Sequence, residues 1–91
     1  MVNVVVLMGI LLHCDEQNKA IRYLEVIEEF KNKRGELIRD IVPLINWNKI
    51  HQGDLFVYQN GATVLVKGRL EIINDKMYVI CENLTYLGKK E

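Results

Sequence analysis

The chain has 91 residues, of which 49% are hydrophobic, 8% aromatic and 26% charged. That is one domain's worth, too apolar for disorder, and with six glycines and one proline it is neither collagen-like nor low-complexity. A fold of this size buries roughly 60–65% of its unfolded surface, enough for one core but not for a core plus a deep enzyme cleft. Twelve Lys and Arg balance twelve Asp and Glu, so no global field draws the protein to nucleic acid or membrane, and any polyanion binding must come from local clusters.

Val2–Leu12 is dense in Val, Ile and Leu and interrupted by Gly9. Its β-branched content and short length predict a long strand with a bend or bulge at the glycine. It lacks the basic flank and cleavage site of a signal peptide and is too short to span a bilayer. His13–Lys19 is polar and reads as a connection. Ala20–Phe30, with imperfect alternation, reads as a second strand with a helix as the competing reading, Lys31–Gly35 as a hairpin tip and Glu36–Leu44 as a third strand, whose Pro43 belongs at a sheet edge or bulge. Asn46–Asn60 offers a short or irregular helix, capped by Asn46 or Asn48, with Ile50, Leu55 and Tyr58 on one face and Asn60-Gly61 as its stop. Ala62–Ile73 alternates, Val64, Val66, Gly68, Leu70 and Ile72 against Lys67, Arg69 and Glu71. After a tight turn at Asn74-Asp75-Lys76, Met77–Leu87 forms the last strand, with Tyr78, Ile80, Leu84 and Tyr86 on one side.

The expected fold is therefore all-β with small α content: a five-stranded OB-fold barrel with one short helix between strands 3 and 4, over a single domain 1–91. Cys14 and Cys81 are the only cysteines, distant in sequence and without a ligand-spaced histidine pair, so no metal and no cofactor is expected. Two free thiols suit a reducing cytoplasm. His13-Cys14-Asp15-Glu16 cannot form a nucleophilic triad by adjacency, His51 has no ligand-spaced neighbour, and no phosphate-loop or metalloprotease motif occurs; no enzymatic activity is expected.

Three segments carry a family resemblance. Asn3-Val4-Val5-Val6-Leu7-Met8-Gly9-Ile10-Leu11 resembles the opening strand of bacterial single-stranded DNA-binding proteins, an Asn-x-Val-x-Leu-x-Gly-x-Leu pattern. Gly61–Leu70, with Val64, Val66, Gly68, Arg69 and Leu70, is similar to that family's fourth strand, and Met77–Gly88 to its closing strand. The resemblance covers almost the whole chain in order. It implies sequence-independent binding of single-stranded DNA in replication, repair or recombination, with at least a homodimer and a homotetramer as the larger alternative. The family usually continues into a disordered stretch with an acidic tip that recruits partners; this sequence stops at Lys89-Lys90-Glu91, and its last loop is short. The small primosomal OB proteins, tailless dimers, are a second relative, and imply instead a module that docks on replication or primosome proteins with weak or no DNA binding.

Gripping a single strand takes cations for phosphates and flat rings for bases. Phe30 beside Lys31, Lys33 and Arg34 supplies both within five positions, and the resemblance puts a stacking aromatic at Phe30. Trp47, the single tryptophan, is either a stacking ring or core filling. Lys67 and Arg69 face away from the Val64/Val66 side and, with Arg39, are candidate phosphate contacts. Tyr23, Tyr78 and Tyr86 are weaker aromatic candidates, and Gly68 reads as structural, permitting bending or close backbone approach.

Overall fold

The computed structural model describes residues 3–26, 34–35, 40–47 and 54–89. Its elements run β1 (Val5–Cys14), β2 (Ile21–Val26), β3 (Asp40–Asn46), α1 (Asp54–Val57), β4 (Ala62–Ile73) and β5 (Lys76–Lys89). The strands close into one barrel in the order β1-β2-β3-β5-β4. All neighbours are antiparallel except β3 and β5, which run parallel and pair only over Leu44–Asn46 and Val79–Cys81. This is the all-β, OB-like barrel that the strand order predicts, with its one short helix between β3 and β4.

Inward-facing Leu11, Leu24, Leu44, Leu55, Val64, Val66 and Val79 fill the barrel. Leu55 of α1 is 1% exposed, so the helix stoppers one end. Beside it lies a charge that the sequence reading does not anticipate. Arg22 on β2 is 4% exposed. Its guanidinium donates from Nε to the Leu12 carbonyl (2.7 Å), from Nη1 to the carbonyls of Leu55 (3.0 Å) and Tyr58 (2.6 Å), and from Nη2 to Asn60 Oδ1 (3.0 Å). Four neutral oxygens from β1, α1 and the α1–β4 connection thus converge on one planar fork. Burial pushes its pKa below the usual guanidinium value.

Several boundaries differ from the sequence expectation. His13 and Cys14 belong to β1, and the connection begins at Asp15. The β1 bulge lies between Leu11 and Cys14, where β1 carries one residue more than β2, and not at Gly9. Gly9 pairs regularly with both Val26 and Val64; a Cβ there would meet the Glu25 carbonyl of β2, so it serves close strand approach. The described part of the predicted helix is the four residues of α1, and Asn48 and Ile50 lie outside the described residues.

The largest correction concerns β5. It has 14 residues against 12 in β4, and the two extra ones, Glu82 and Leu87, fall at the two register shifts. A one-residue bulge reverses side-chain phase. Tyr78 and Ile80 therefore face outward, whereas Leu84 and Tyr86 lie opposite Val66 and Val64 on the barrel side. Tyr86 stacks on Tyr58 beside α1 (centroids 4.7 Å, planes 15° apart). On β4 the inward burial likewise ends at Gly68: Leu70 and Ile72 keep the phase of Val64 but are exposed beyond the closed part of the barrel.

Candidate nucleic-acid interface

Alternation on β2, β3 and β5 sends a second set of side chains outward. Ile21, Ile45 and Ile80 are paired in a row across the three strands and form a small buried cluster outside the barrel, bordered by Tyr23, Tyr78 and Ile73. Arg69 of β4 is paired with Ile80 and continues that row, while Tyr23 is paired with Pro43 in the row beside it. Two connections rise on either side: residues 15–20 between β1 and β2, and the β4–β5 turn, where Asn74 and Asp75 take positive φ of 51° and 64°.

Between these walls runs a groove of about 350 Å³, with Tyr23 and Pro43 at its base, Lys76, Met77 and Tyr78 along one side and Asp15, Gln17 and Asn18 along the other. A second hollow of about 240 Å³ continues past Ile21, Ile45 and Ile73, again bordered by Tyr78. In barrels of this topology the face of the second and third strands, flanked by the 1–2 and 4–5 loops, is where oligonucleotides and oligosaccharides ordinarily bind.

The β1–β2 connection is held by one carboxylate. Asp15 Oδ1 accepts the Tyr23 hydroxyl at 2.6 Å, and Oδ2 accepts the amides of Gln17 (3.0 Å) and Asn18 (2.9 Å). The His13 ring tilts against Tyr23, centroids 5.7 Å apart. The Tyr23 hydroxyl, followed by the Asn18 and Gln17 amides, holds the Asp15 carboxyl below its ordinary range, and the same bond pushes the Tyr23 phenol up. A carboxyl whose folded pKa is depressed contributes while ionised, and its contribution is lost as pH falls through that folded value. A phenol whose folded pKa is raised contributes below its ordinary value of about 10, and the contribution goes as pH rises through the folded value. In Tyr23→Phe, the Asp15 carboxyl is expected to titrate closer to its ordinary value in an NMR pH series. An unchanged titration would show that the phenol does not set it.

Of the sequence-predicted residues, Phe30, Lys31, Lys33 and Arg39 lie outside the described residues. Arg34 is exposed in a turn beside Gly35. Trp47 follows β3, its amide donating to the Cys81 carbonyl (3.1 Å), and its side chain is 63% exposed, which answers the core-filling alternative. Lys67 is exposed and Arg69 half-buried, both on the outward side of β4, as the alternation predicts. Arg69 is already flanked by two carboxylates, Glu71 and Glu82, each at 3.6 Å. Arg69 lies on the outward face beside Ile80, whereas Lys67 sits farther round, paired with Val6 and Asn83, and Trp47 stands at the end of β3 next to Cys81 of β5. Tyr23 and Tyr78, the weaker aromatic candidates of the sequence, both border the groove beside Pro43, a placement that strand register and not alternation sets, and the bulge at Glu82 separates Tyr78 from Tyr86.

Among the described residues no group of three or more His, Cys, Asp or Glu is placed to share a metal ion. No helix among them is long and apolar enough to cross a membrane. Cys14 is half-buried, and Cys81 is buried with its thiol 3.7 Å from the Asn83 carbonyl. Compared with protein-family models and with curated proteins, the chain gives no match.

Proposed function

We propose that this barrel binds single-stranded DNA without sequence preference, on the outward face of β2, β3 and β5. The observation that carries the reading is the pair of rings Tyr23 and Tyr78 in one groove between two loops, with Lys76 in its wall and Trp47 exposed at the end of β3 beside β5. Rings at successive positions give bases of any identity a surface to stack on, and the adjoining cations follow the phosphates. The likeness of the first, fourth and fifth strands to bacterial single-stranded DNA-binding proteins supports the same reading, within replication, repair or recombination in the cytoplasm.

Net zero charge and the paired state of Arg69 argue for few phosphate contacts per copy. Multivalency compensates for weak single sites by raising effective concentration along one strand. The homodimer expected from the sequence belongs to the same proposal, as does the tetramer as its larger alternative. Val4, Val6 and Met8 on the outward side of β1, next to Leu65 of β4, form the exposed apolar stripe that a second copy would cover.

Titration with oligo(dT), followed by Trp47 fluorescence, tests the binding. Saturable quenching is expected, with log affinity falling against log salt by about 0.7 per phosphate contacted. Tyr78→Ala and Trp47→Ala are each expected to weaken binding roughly 5- to 150-fold, as each removes a stacking surface of about 1–3 kcal/mol; the tryptophan-free variant is followed by fluorescence anisotropy of labelled oligo(dT). Absence of saturable binding at low salt would favour the other reading, a module docking on replication or primosome proteins.

A further inference from the structure

The groove does not end at Tyr78. Beyond Leu44 and Val79 the strands β3 and β5 are no longer paired, and the barrel opens between them. Behind that opening is a trough of about 290 Å³ at the barrel mouth, walled by Val5 and Leu7 of β1, Leu70 of β4 and Val79 of β5. Pro43, Met77 and Tyr78 border both the trough and the outer groove, so the two adjoin along these three residues. Ile41 and Met77 at the rim are 61% and 58% exposed, which leaves the mouth reachable from solvent.

From this adjacency we infer that the trough is a subsite for one nucleobase of the bound strand, a pyrimidine and preferentially thymine. The inference rests on the single-strand reading given above. A strand stacked on Tyr78 passes directly over the opening, with Lys76 alongside for the flanking phosphate. The volume lies just below the usual range for small-molecule pockets, about 300–1,000 Å³, and so suits a single ring. All the described side chains around it are apolar apart from the Tyr78 phenol. Such walls cannot read base edges by hydrogen bonds, but they do reward an apolar substituent on the ring. Thymine differs from uracil by one methyl group, whose burial corresponds to about a fourfold gain in affinity. A peptide strand fits the opening less well, because Pro43 on its β3 edge supplies no backbone donor for a ladder.

Oligo(dT) and oligo(dU) of equal length, titrated against the wild type and three variants, test this. The wild type is expected to prefer oligo(dT) by about fourfold. Leu70→Gln and, from the opposite wall, Ile41→Gln should bring that preference close to one. Ile72→Gln, on the same strand but outside the trough, should leave it unchanged, and thermal melts confirm that each variant folds. Equal wild-type affinity for the two oligomers would overturn the subsite while leaving single-strand binding intact. So would a preference insensitive to Leu70 and Ile41, or saturable binding of a leucine-rich peptide that Leu70→Gln abolishes. No binding of either oligomer would remove the single-strand reading and the subsite with it.

Discussion

Replacing Arg22 by methionine is expected to destabilise the protein by about 3–5 kcal/mol and to lower its melting temperature by roughly 15–30 °C. Methionine fills much of the same volume, so the loss is not one of packing. It arises from the carbonyls of Leu12, Leu55 and Tyr58 and from Asn60 Oδ1, which converge on the guanidinium and lose their shared donor. The bond to the Leu55 carbonyl is buried and the other three are partly buried, and a buried acceptor left without a partner costs about 1–3 kcal/mol. Against this stands the recovered cost of burying a cation that no carboxylate among the described residues hydrogen-bonds; guanidinium is weakly hydrated, which keeps that offset the smaller quantity. Lysine retains the charge but offers a single point donor, and Arg22→Lys should fall between wild type and methionine. Urea and thermal unfolding read both variants. A loss below about 1 kcal/mol for Arg22→Met would show that water replaces the guanidinium and that the pin is dispensable.

Gly68→Ala is expected to cost about 3 kcal/mol or more, an unusually large effect for one methyl group. Gly68 is buried on β4 opposite Cys81, immediately after the register shift that accommodates Glu82. A Cβ at this position would collide with the Ile80 main-chain carbonyl and approach the Cys81 Cα to 3.4 Å. Side chains can rotate away from a clash, whereas a paired backbone can yield only if the strands separate. Separation would disturb Val79, Ile80 and Cys81, which hold β5 against β3. The variant should therefore lose stability and also weaken the single-strand face, because Tyr78 and Ile80 belong to the same segment. Near-normal stability in denaturant would mean that the two strands are not locked at this distance.

The sequence makes the barrel legible because its strongest signals are local. β4 runs over Ala62–Ile73 as the alternation of Val64, Val66 and Gly68 with Lys67 and Arg69 predicts. The close approach at Gly68 is likewise readable, since a glycine inside a strong strand pattern asks for a backbone neighbour. What escapes is non-local. No pattern within β5 announces that Glu82 is an extra residue relative to β4, yet that single residue sends Tyr78 outward and Tyr86 inward. Arg22 looks like an ordinary charge on an alternating strand; its burial follows only once the β1 bulge and the end of α1 bring four oxygens to it.

The candidate site shows the same division. Trp47 stands out in the sequence as the single tryptophan, and its exposure takes it out of the core. Lys67 and Arg69 share a strand face as expected, but the carboxylates of Glu71 and Glu82 around Arg69 come from a turn of alternation and from the bulge. Tyr23 gains its place through Asp15, eight positions away, in a segment that had read as a plain connection.

Amide chemical-shift mapping of the protein with oligo(dT) asks whether the outward β2–β3–β5 face between the two loops holds an unpaired polynucleotide. Saturable shifts are expected at Tyr23, Ile45, Trp47 and Lys76–Ile80, with little change at Thr85 or Tyr86. Shifts confined to the outward side of β1, or no shifts at any oligo(dT) concentration, would contradict binding on this face.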